Sequence, residues 1–348
     1  MADLAGSCSV STVTIRGWEV LRLTTPELEV DVLPGKGGDI LAVRWRDTAT
    51  DVLWKTPWGL RHRGAVPTAA DSLTTFIENY PGGWQTLFPN GGTATAEQGT
   101  ELGFHGEAAV VPWDWQEATV ADGVAIKLDT CLVRSPFRLR RRIDVVAGLL
   151  TVTETFTNVS QTVQEAMWSH HPAFGEPFLD GECRLQTGAR TFLADGGYDT
   201  PHGDLAPGVT SQWPSAKRKD GSTADLSVVP AADAGLDRFG YLMDFIEPWY
   251  TITNPRLGLA ATVRWDAAAF PYAWFWCEAA GSAGFPWHQR AYVLAVEPAA
   301  SYPGSGLQVA RDTTGTVVSF APGESRTAVV SLELSRVPAS LATEHGDG

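Results

Sequence analysis

The sequence predicts an all-β protein, built as a large antiparallel β-sandwich. Runs with the polar and apolar alternation of strands outnumber runs with the apolar stripe of a helix. Glycine (35 residues) and proline (22 residues) separate these runs at short intervals, as turns do in a sandwich rather than in alternating β and α units. The 348 residues show no linker-like change in composition, so we expect a single domain over residues 1–348.

The predicted strands are spread along the whole chain. The clearest one covers residues 151–157, where β-branched residues are enriched and side-chain character alternates. In chain order, strands are predicted at residues 28–32, 40–45, 124–132, 149–156, 259–265, 292–296 and 317–320.

Composition and charge narrow the class of protein. With 44% hydrophobic and 19% charged residues, the chain can bury a large core, and no apolar run approaches the about 20 residues of a membrane helix. A net charge of −14 disfavours binding to phosphate backbones. The arginine cluster at residues 138–142 is interpreted as a solvated strand face. We therefore expect a soluble protein that binds neither nucleic acid nor membrane and, without a secretory signal, stays in the cytoplasm.

The four cysteines do not form a recognisable site. Cys8, Cys131, Cys183 and Cys277 lack the paired spacing of zinc or iron–sulfur ligands. We expect reduced thiols in the core. Cys277 has no basic neighbour in sequence that would activate a nucleophile. The sequence predicts no metal site and no cofactor.

Two distant segments offer an acid and a base. One contains His170 and His171, and the other contains Glu297. Histidine and carboxylate titrate on either side of neutrality, so one can donate a proton while the other accepts one, as proton transfer on a sugar requires. Apolar neighbours are expected to bury Glu297 in part and raise its pKa. The alternatives are a surface ion pair for Glu297 and a structural core histidine for His171.

Other segments add candidate binding residues. A loop rich in glycine, amide and aromatic groups contains Trp84, Gln85 and Asn90, which are suited to stacking on a sugar and to hydrogen bonding its hydroxyls. The alternative is an ordinary cluster of turns. His105 marks a second polar centre, and Trp276 lies beside a polar loop.

In their order, these motifs resemble the aldose 1-epimerases, or galactose mutarotase-like proteins, over most of the chain. Residues 33–40 are similar to the family's early glycine turn, and Phe104-His105-Gly106 to its first His-Gly element. His171-Pro172-Ala173-Phe174 resembles the His-x-Tyr-Phe element, with alanine in place of tyrosine, and Val296-Glu297-Pro298 the late Glu-Pro. The resemblance implies a galactose mutarotase-like β-sandwich and an isomerase that interconverts the anomers of a sugar.

The resemblance also implies roles for residues. His171 would be the general acid, Glu297 the general base, His105 a partner near the ring oxygen and Asp244 a sugar-binding aspartate. Because His170 doubles the histidine, the acid can be either His170 or His171. The family's early arginine has no clear counterpart, which leaves open whether the sugar is neutral or anionic.

Two other functions fit the same residues. A sugar-binding protein without activity would keep the aromatic platform but would not need both His171 and Glu297, since a fold does not fix a function. A sugar isomerase or lyase would use the same acid and base to remove a proton from carbon. The sequence leaves the oligomeric state open.

Overall fold

The computed structural model describes residues 8–337 and confirms the predicted all-β sandwich. Within this range there are 26 strands and two helices. All pairings between the named strands are antiparallel. No helix in residues 8–337 is both long and apolar enough to cross a membrane.

The elements alternate with short turns. The first half of the chain contains β1 (Ser9–Ile15), β2 (Trp18–Thr24), β3 (Leu28–Leu33), β4 (Asp39–Trp45), β5 (Thr50–Asp51), α1 (Ser72–Asn79), β6 (Trp84–Leu87), β7 (Thr95–Glu97), β8 (Thr100–Leu102), β9 (Asp114–Ala118), β10 (Gly123–Cys131), β11 (Phe137–Val146), β12 (Leu149–Asn158), β13 (Gln164–Ala166) and β14 (Ser169–Gly175). The second half contains β15 (Arg184–Thr187), β16 (Thr191–Ala194), β17 (Thr210–Gln212), β18 (Ser215–Lys217), β19 (Thr223–Asp225), β20 (Leu236–Met243), β21 (Trp249–Asn254), β22 (Leu259–Trp265), β23 (Tyr272–Ala279), β24 (Tyr292–Ala299), α2 (Leu307–Thr313), β25 (Val318–Phe320) and β26 (Ser325–Arg336).

Two large sheets form the sandwich. The twelve-stranded sheet has the order β1-β2-β3-β4-β6-β14-β24-β23-β20-β16-β17, and β5 pairs with β4. The eight-stranded sheet has the order β15-β21-β22-β26-β12-β11-β10-β9. Three two-stranded ribbons complete the described part: β7 with β8, β13 with β25, and β18 with β19. Each of the seven predicted strands overlaps an observed strand.

The two sheets share one hydrophobic core. Phe88 packs against Phe137 and Phe156, with ring centroids 4.8 and 4.6 Å apart. Phe156 in turn stacks on Trp168 at 4.4 Å. All four side chains are buried, and Phe137 and Phe156 come from the eight-stranded sheet whereas Phe88 and Trp168 flank strands of the larger one. Rings of this size supply much of the apolar area that holds the sheets together.

A second apolar cluster covers the opposite face of the larger sheet. Helix α1 lies over this face with Phe76 and Ile77 buried. The helix begins at Asp71, whose side chain accepts a hydrogen bond of 2.7 Å from the backbone N–H of Thr74, as an N-cap aspartate does. The cavity described below lies between α1 and the sheet.

The structure corrects the interpretation of the arginine cluster. Arg138, Arg140 and Arg142 lie on the solvent-facing side of β11, as predicted. Arg141 instead points inward and is buried, with Nε 2.7 Å from Oε1 of Glu154. Successive side chains of a strand face opposite sides of its sheet, so four neighbouring arginines cannot share one face.

The expectation of four core thiols is correct for only two of them. Cys183 and Cys277 are buried, whereas Cys8 and Cys131 are exposed, and all four are free. Cys131 is the last residue of β10 and faces outward there.

Candidate active site

A cavity of about 400 Å³ lies on the face of the larger sheet that α1 covers. Strands β14, β24, β23 and β20 contribute lining residues from the sheet, and α1 and several loops contribute the rest. This volume suits a small ligand. The lining residues are Leu73, Phe76, Ile77, Tyr80, Gly92, Thr93, Phe104, His105, His171, Asp195, Gly197, Tyr198, Phe239, Trp274, Trp276, Pro286, Trp287, Glu297, Gly304 and Ser305.

His171 and Glu297 stand side by side on neighbouring strands. Ala173, two residues after His171, pairs with Ala295, two residues before Glu297, so the antiparallel register places His171 opposite Glu297 on the same face. Nε2 of His171 lies 3.5 Å from Oε1 of Glu297. Both side chains are buried, at 6% and 1% exposure. Within the described residues, Oε2 of Glu297 has no hydrogen-bond partner.

Burial controls the protonation of this pair. Removal from water raises the pKa of Glu297 well above its ordinary value and lowers the pKa of His171 to about 4, because it penalises the charged form of each group. The direction for Glu297 is the one its apolar sequence neighbours led us to expect. Between the two values the pair holds one proton, carried by Glu297 or by His171. One acid and one base are therefore present together between the two pKa values.

Tyr80 holds the other nitrogen of the His171 ring. Its hydroxyl oxygen lies 3.4 Å from Nδ1. Burial, with the nearby Glu297 charge, raises the pKa of Tyr80 well above its ordinary value, so it stays a phenol. When Nε2 shares the proton of Glu297, the remaining ring proton is on Nδ1 and is donated to the Tyr80 oxygen. Tyr80 thus keeps Nε2 directed at Glu297.

His105 is neutral and can donate a hydrogen bond from its Nε2–H. Its Nδ1 accepts a hydrogen bond of 3.0 Å from the backbone N–H of Gly92, which leaves the ring proton on Nε2. Burial, with the adjacent His171, holds its pKa well below the ordinary value. Gly92 has a φ of 75°, and a Cβ there would overlap the carbonyl oxygen of Gly304. Only glycine fits this position.

Hydrogen-bond acceptors lie at the far side of the cavity. One oxygen of Asp195 accepts the backbone N–H of Gly197 at 2.7 Å, and the other accepts the hydroxyl of Tyr241. The hydroxyl of Tyr198 donates to Asp237 at 2.6 Å. Asp195 follows β16, two strands beyond the strand that carries Trp274 and Trp276.

Aromatic rings form much of the cavity surface. The ring centroid of Trp276 lies 5.9 Å from that of His171 and 5.6 Å from that of Trp287. Trp54 packs edge-on against both tryptophans, at 5.8 and 5.3 Å. Such faces match the C–H side of a sugar ring.

The charged lining residues are acidic. Asp195 and Glu297 line the cavity. No lysine or arginine is among the lining residues, all of which belong to the described range. Across residues 8–337 there is also no group of three or more His, Cys, Asp and Glu side chains arranged to hold a metal ion.

The predicted site residues divide between the cavity and its support. His171, Glu297, His105 and Trp276 line the cavity together. His170 does not, because neighbouring residues of β14 face opposite sides of the sheet. Its Nδ1 accepts a hydrogen bond of 3.1 Å from Trp84.

Trp84 and His170, predicted to bind sugar, therefore belong to the core between the sheets and do not line the cavity. Both are buried. Nε2 of His170 lies 3.3 Å from Glu154, so the ring is held by core partners on both sides. His171 therefore lines the cavity, whereas His170 packs in the core.

Gln85 and Asn90 also act in support rather than in the cavity. Gln85 donates to the carbonyl oxygen of Gly82 at 2.8 Å. Asn90 donates to the carbonyl oxygens of Thr93 and Gly103, both at 2.9 Å, and accepts the N–H of Leu307. Asn90 thus braces the loops that carry the cavity wall, and it is not among the lining residues.

Asp244, predicted to bind sugar, does not line the cavity. It follows the last residue of β20 and accepts a hydrogen bond of 2.6 Å from Thr191. It has a φ of 54°, and it turns the chain at the strand end. Asp195 is the aspartate that lines the cavity.

Tyr80, Asp195 and the apolar face of α1 line the cavity but were not predicted from the sequence. The helix carried a readable signal, since Asp71 precedes a stretch with apolar residues at Leu73, Phe76 and Ile77, spaced as in one helix face. Asp195 stands before Gly-Gly at the end of a strand, a turn signal that does not distinguish a site from a loop.

Solved structures similar to this chain share its fold. A galactose mutarotase-like protein from Clostridium acetobutylicum has a TM-score of 0.68 at 14% identity, covering 95% of this chain and 99% of that chain. A galactose mutarotase-like protein from Lactobacillus casei has a TM-score of 0.63 at 16% identity, covering 91% and 100%. A Klebsiella pneumoniae protein provisionally named an aldose 1-epimerase has a TM-score of 0.67 at 13% identity, covering 94% and 81%. The fold is the galactose mutarotase-like β-sandwich.

Comparison by sequence assigns the family. No curated protein matches the chain. The model of the family described as "Domain of unknown function (DUF4432)" matches residues 15–234, more than half of the chain. His105 and His171 lie within the matched residues, and Glu297 lies beyond them. The chain belongs to the DUF4432 family.

Proposed function

We propose that the protein is an aldose 1-epimerase, which interconverts the α and β anomers of a sugar by acid/base opening and reclosing of the ring. The observation that supports this best is the pair formed by His171 and Glu297. The two groups hold one proton between them, line the same cavity and lie 3.5 Å apart. The two oxygens of a hemiacetal share one carbon, so a neighbouring donor and acceptor can reach both.

The chemistry needs one base and one acid. The proton of the pair first passes from Glu297 to Nε2 of His171. Glu297, as carboxylate, then accepts the proton of the anomeric hydroxyl, and His171, as imidazolium, gives its proton to the ring oxygen. The bond between the anomeric carbon and the ring oxygen breaks, which leaves a free aldehyde and a hydroxyl. After rotation about the bond between C1 and C2, the hydroxyl attacks the other face of the aldehyde. The two proton transfers then run backwards and restore the pair.

The remaining cavity residues have supporting roles. Neutral His105 offers an Nε2–H to the ring oxygen as negative charge develops there. Trp276 and Trp287 provide apolar surface for the C–H face of the sugar. Asp195 offers carboxylate oxygens to sugar hydroxyls. Similarity of fold to proteins named as mutarotase-like supports the same assignment.

Mutarotation kinetics test the proposal. Polarimetry of freshly dissolved α and β aldoses, neutral and anionic, would be followed with the wild type, Glu297→Gln and His171→Asn. We expect faster equilibration with the wild type and a loss of roughly 10²–10⁴-fold in each variant, the range contributed by one general acid or base. Glu333→Gln, an exposed carboxylate on β26, is the control and should keep full activity.

The outcomes separate the alternatives. Sugar binding without acceleration of any anomer would contradict the epimerase and favour a binding protein. Acceleration that survives both cavity substitutions would contradict the assigned residues. Formation of a different sugar or an unsaturated product would indicate chemistry at carbon.

A further inference from the structure

We infer that the cavity selects an uncharged aldose whose substituent at C5 is apolar, as the methyl group of a 6-deoxyhexose is. This inference rests on the proposed function, and it names the class of sugar on which that function acts. It follows from the order of the groups across the cavity.

The strand order of the larger sheet arranges the cavity groups in a row. His171 is on β14, Glu297 on β24, Trp276 on β23 and Phe239 on β20, and Asp195 follows β16. Neighbouring strands are about 4.8 Å apart. His171 and Asp195 therefore mark opposite ends of the row, with Glu297 next to His171.

Helix α1 lies at the His171 end of this row. The ring centroid of Tyr80, which caps the helix, is 5.6 Å from that of His171. Phe76 lies 5.5 Å from Tyr80 and 4.8 Å from His105. The side of His171 away from Glu297 thus faces α1 and the His105 loop.

The covalent structure of an aldose then fixes which atoms lie where. The ring oxygen is bonded to C1 on one side and to C5 on the other. If His171 protonates the ring oxygen and Glu297 binds the hydroxyl of C1, the C1 side points along the row toward Glu297. C5 and its substituent must then lie on the opposite side of His171, against α1.

The wall that meets C5 is made of hydrocarbon. Leu73, Phe76 and Ile77 are spaced three and four residues apart on α1 and all line the cavity. The nearby polar groups are already engaged: Nδ1 of His105 accepts from Gly92, its Nε2–H serves the ring oxygen in the proposed function, and the Tyr80 oxygen lies against His171. A hydroxyl placed here would lose its water partners without replacement. A methyl group would gain apolar contact.

The opposite end of the row is polar. Asp195 and Tyr198 line it, so hydroxyls at C2 and C3 meet polar side chains. Since no lysine or arginine lines the cavity within the described residues, a phosphate or sulfonate on the sugar would meet no lysine or arginine cation. The asymmetry therefore favours neutral sugars that are polar at one end and apolar at the other.

Paired substrates test the inference directly. Saturation-transfer NMR would compare kcat/KM for 6-deoxy-D-galactose with D-galactose, for 6-deoxy-D-glucose with D-glucose, and for glucose 6-phosphate. We expect a preference of roughly 10–100-fold for each 6-deoxy sugar, the size of discrimination that an apolar wall gives against one hydroxyl. Glucose 6-phosphate should be the poorest substrate.

A variant at the wall sharpens the test. Leu73→Gln places an amide where the C5 substituent lies, and Leu73 is 43% exposed, so the helix tolerates the change. We expect it to reduce the 6-deoxy preference severalfold. Val309→Gln, at a similarly exposed apolar position on the other helix, is the matched control and should leave the preference unchanged.

The results distinguish this inference from the proposed function. Acceleration that depends on Glu297 but favours the hydroxymethyl sugars or glucose 6-phosphate overturns the inference and leaves the epimerase intact. Acceleration of no sugar at all overturns both. An equal loss of preference in Leu73→Gln and Val309→Gln would also count against a direct contact at α1.

Discussion

At the scale of single residues, the pair of His171 and Glu297 determines how the protein responds to pH. The competent state holds one proton on the pair. Below a pH of about 4, His171 gains a second proton and no base remains. Above the raised pKa of Glu297, the pair is empty and no acid remains.

The pH–rate profile follows from this. We expect kcat/KM for mutarotation to be bell-shaped, with the acid limb near 4 and the alkaline limb well above the ordinary range of a carboxyl group. Measurement of the rate by polarimetry from below the acid limb to above the alkaline limb would check it. A single alkaline limb near 6.5, the ordinary histidine value, would contradict the burial argument.

The same burial makes Glu297 destabilising at neutral pH. A group whose folded pKa is raised stabilises the fold below its unfolded pKa and loses that contribution as pH rises through the folded value. Glu297→Gln removes the titration and should raise the Tm by a few degrees at pH 7, with the gain vanishing toward pH 4. Calorimetry at both pH values would measure it. A lower Tm at pH 7 would mean that the ionised pair stabilises the fold.

Sequence reasoning reached these residues only in part. His171, Glu297 and His105 were accessible because short motifs surround them. The choice between His170 and His171 was not, because it depends on which face of β14 each one occupies. Asp195 enters the cavity through the pairing of β16 with β20, a long-range contact that no local pattern encodes.

At the scale of elements, helix α1 forms one wall of the cavity. It has eight residues, which is too short to be stable by itself in water. Its cap and its apolar contacts with the cavity must hold it in place. The strands could be predicted because each carries its own alternation, whereas the signal of this short helix, though readable, consists only of a cap and three apolar residues.

The cap of α1 should therefore influence binding more than chemistry. We expect Asp71→Ala to speed amide exchange over Ser72–Asn79 and to raise KM severalfold with little change in kcat, because the helix forms the wall but not the acid or base. Asp71→Asn keeps a capping acceptor and is the control. Hydrogen-exchange mass spectrometry and steady-state kinetics would test this. A fall in kcat with unchanged KM would place α1 in the chemical step.

At the scale of the whole molecule, a buried ion pair ties the two sheets together. Arg141 and Glu154 belong to the eight-stranded sheet, with side chains 3% and 0% exposed. Arg141 also donates to the carbonyl oxygen of Gly38 at 2.7 Å and to the hydroxyl of Thr86 at 2.6 Å, both in the larger sheet or its turns. These contacts lie on the core side of β6 and β14, on the opposite face of the larger sheet from the cavity.

Removing one partner of this pair should be costly. We expect Arg141→Met to lower the free energy of unfolding by about 3–5 kcal/mol, because it leaves the Glu154 carboxylate buried without its cation. Arg140→Met, on the exposed face of the same strand, should change it by only about 0.5 kcal/mol. Urea titration would compare the two. Equal effects would show that the inward link does not hold the sheets together.

Saturation-transfer NMR of an aldose in D₂O, with the wild type and with Glu297→Gln, tests most directly whether Glu297 and His171 open and reclose the sugar ring. We expect the wild type to exchange the α and β anomeric signals while every carbon-bound hydrogen is retained, and the variant to leave exchange at the uncatalysed rate. Loss of the hydrogen at C2 would show proton abstraction from carbon. That loss, or anomeric exchange undiminished in Glu297→Gln, would contradict the account.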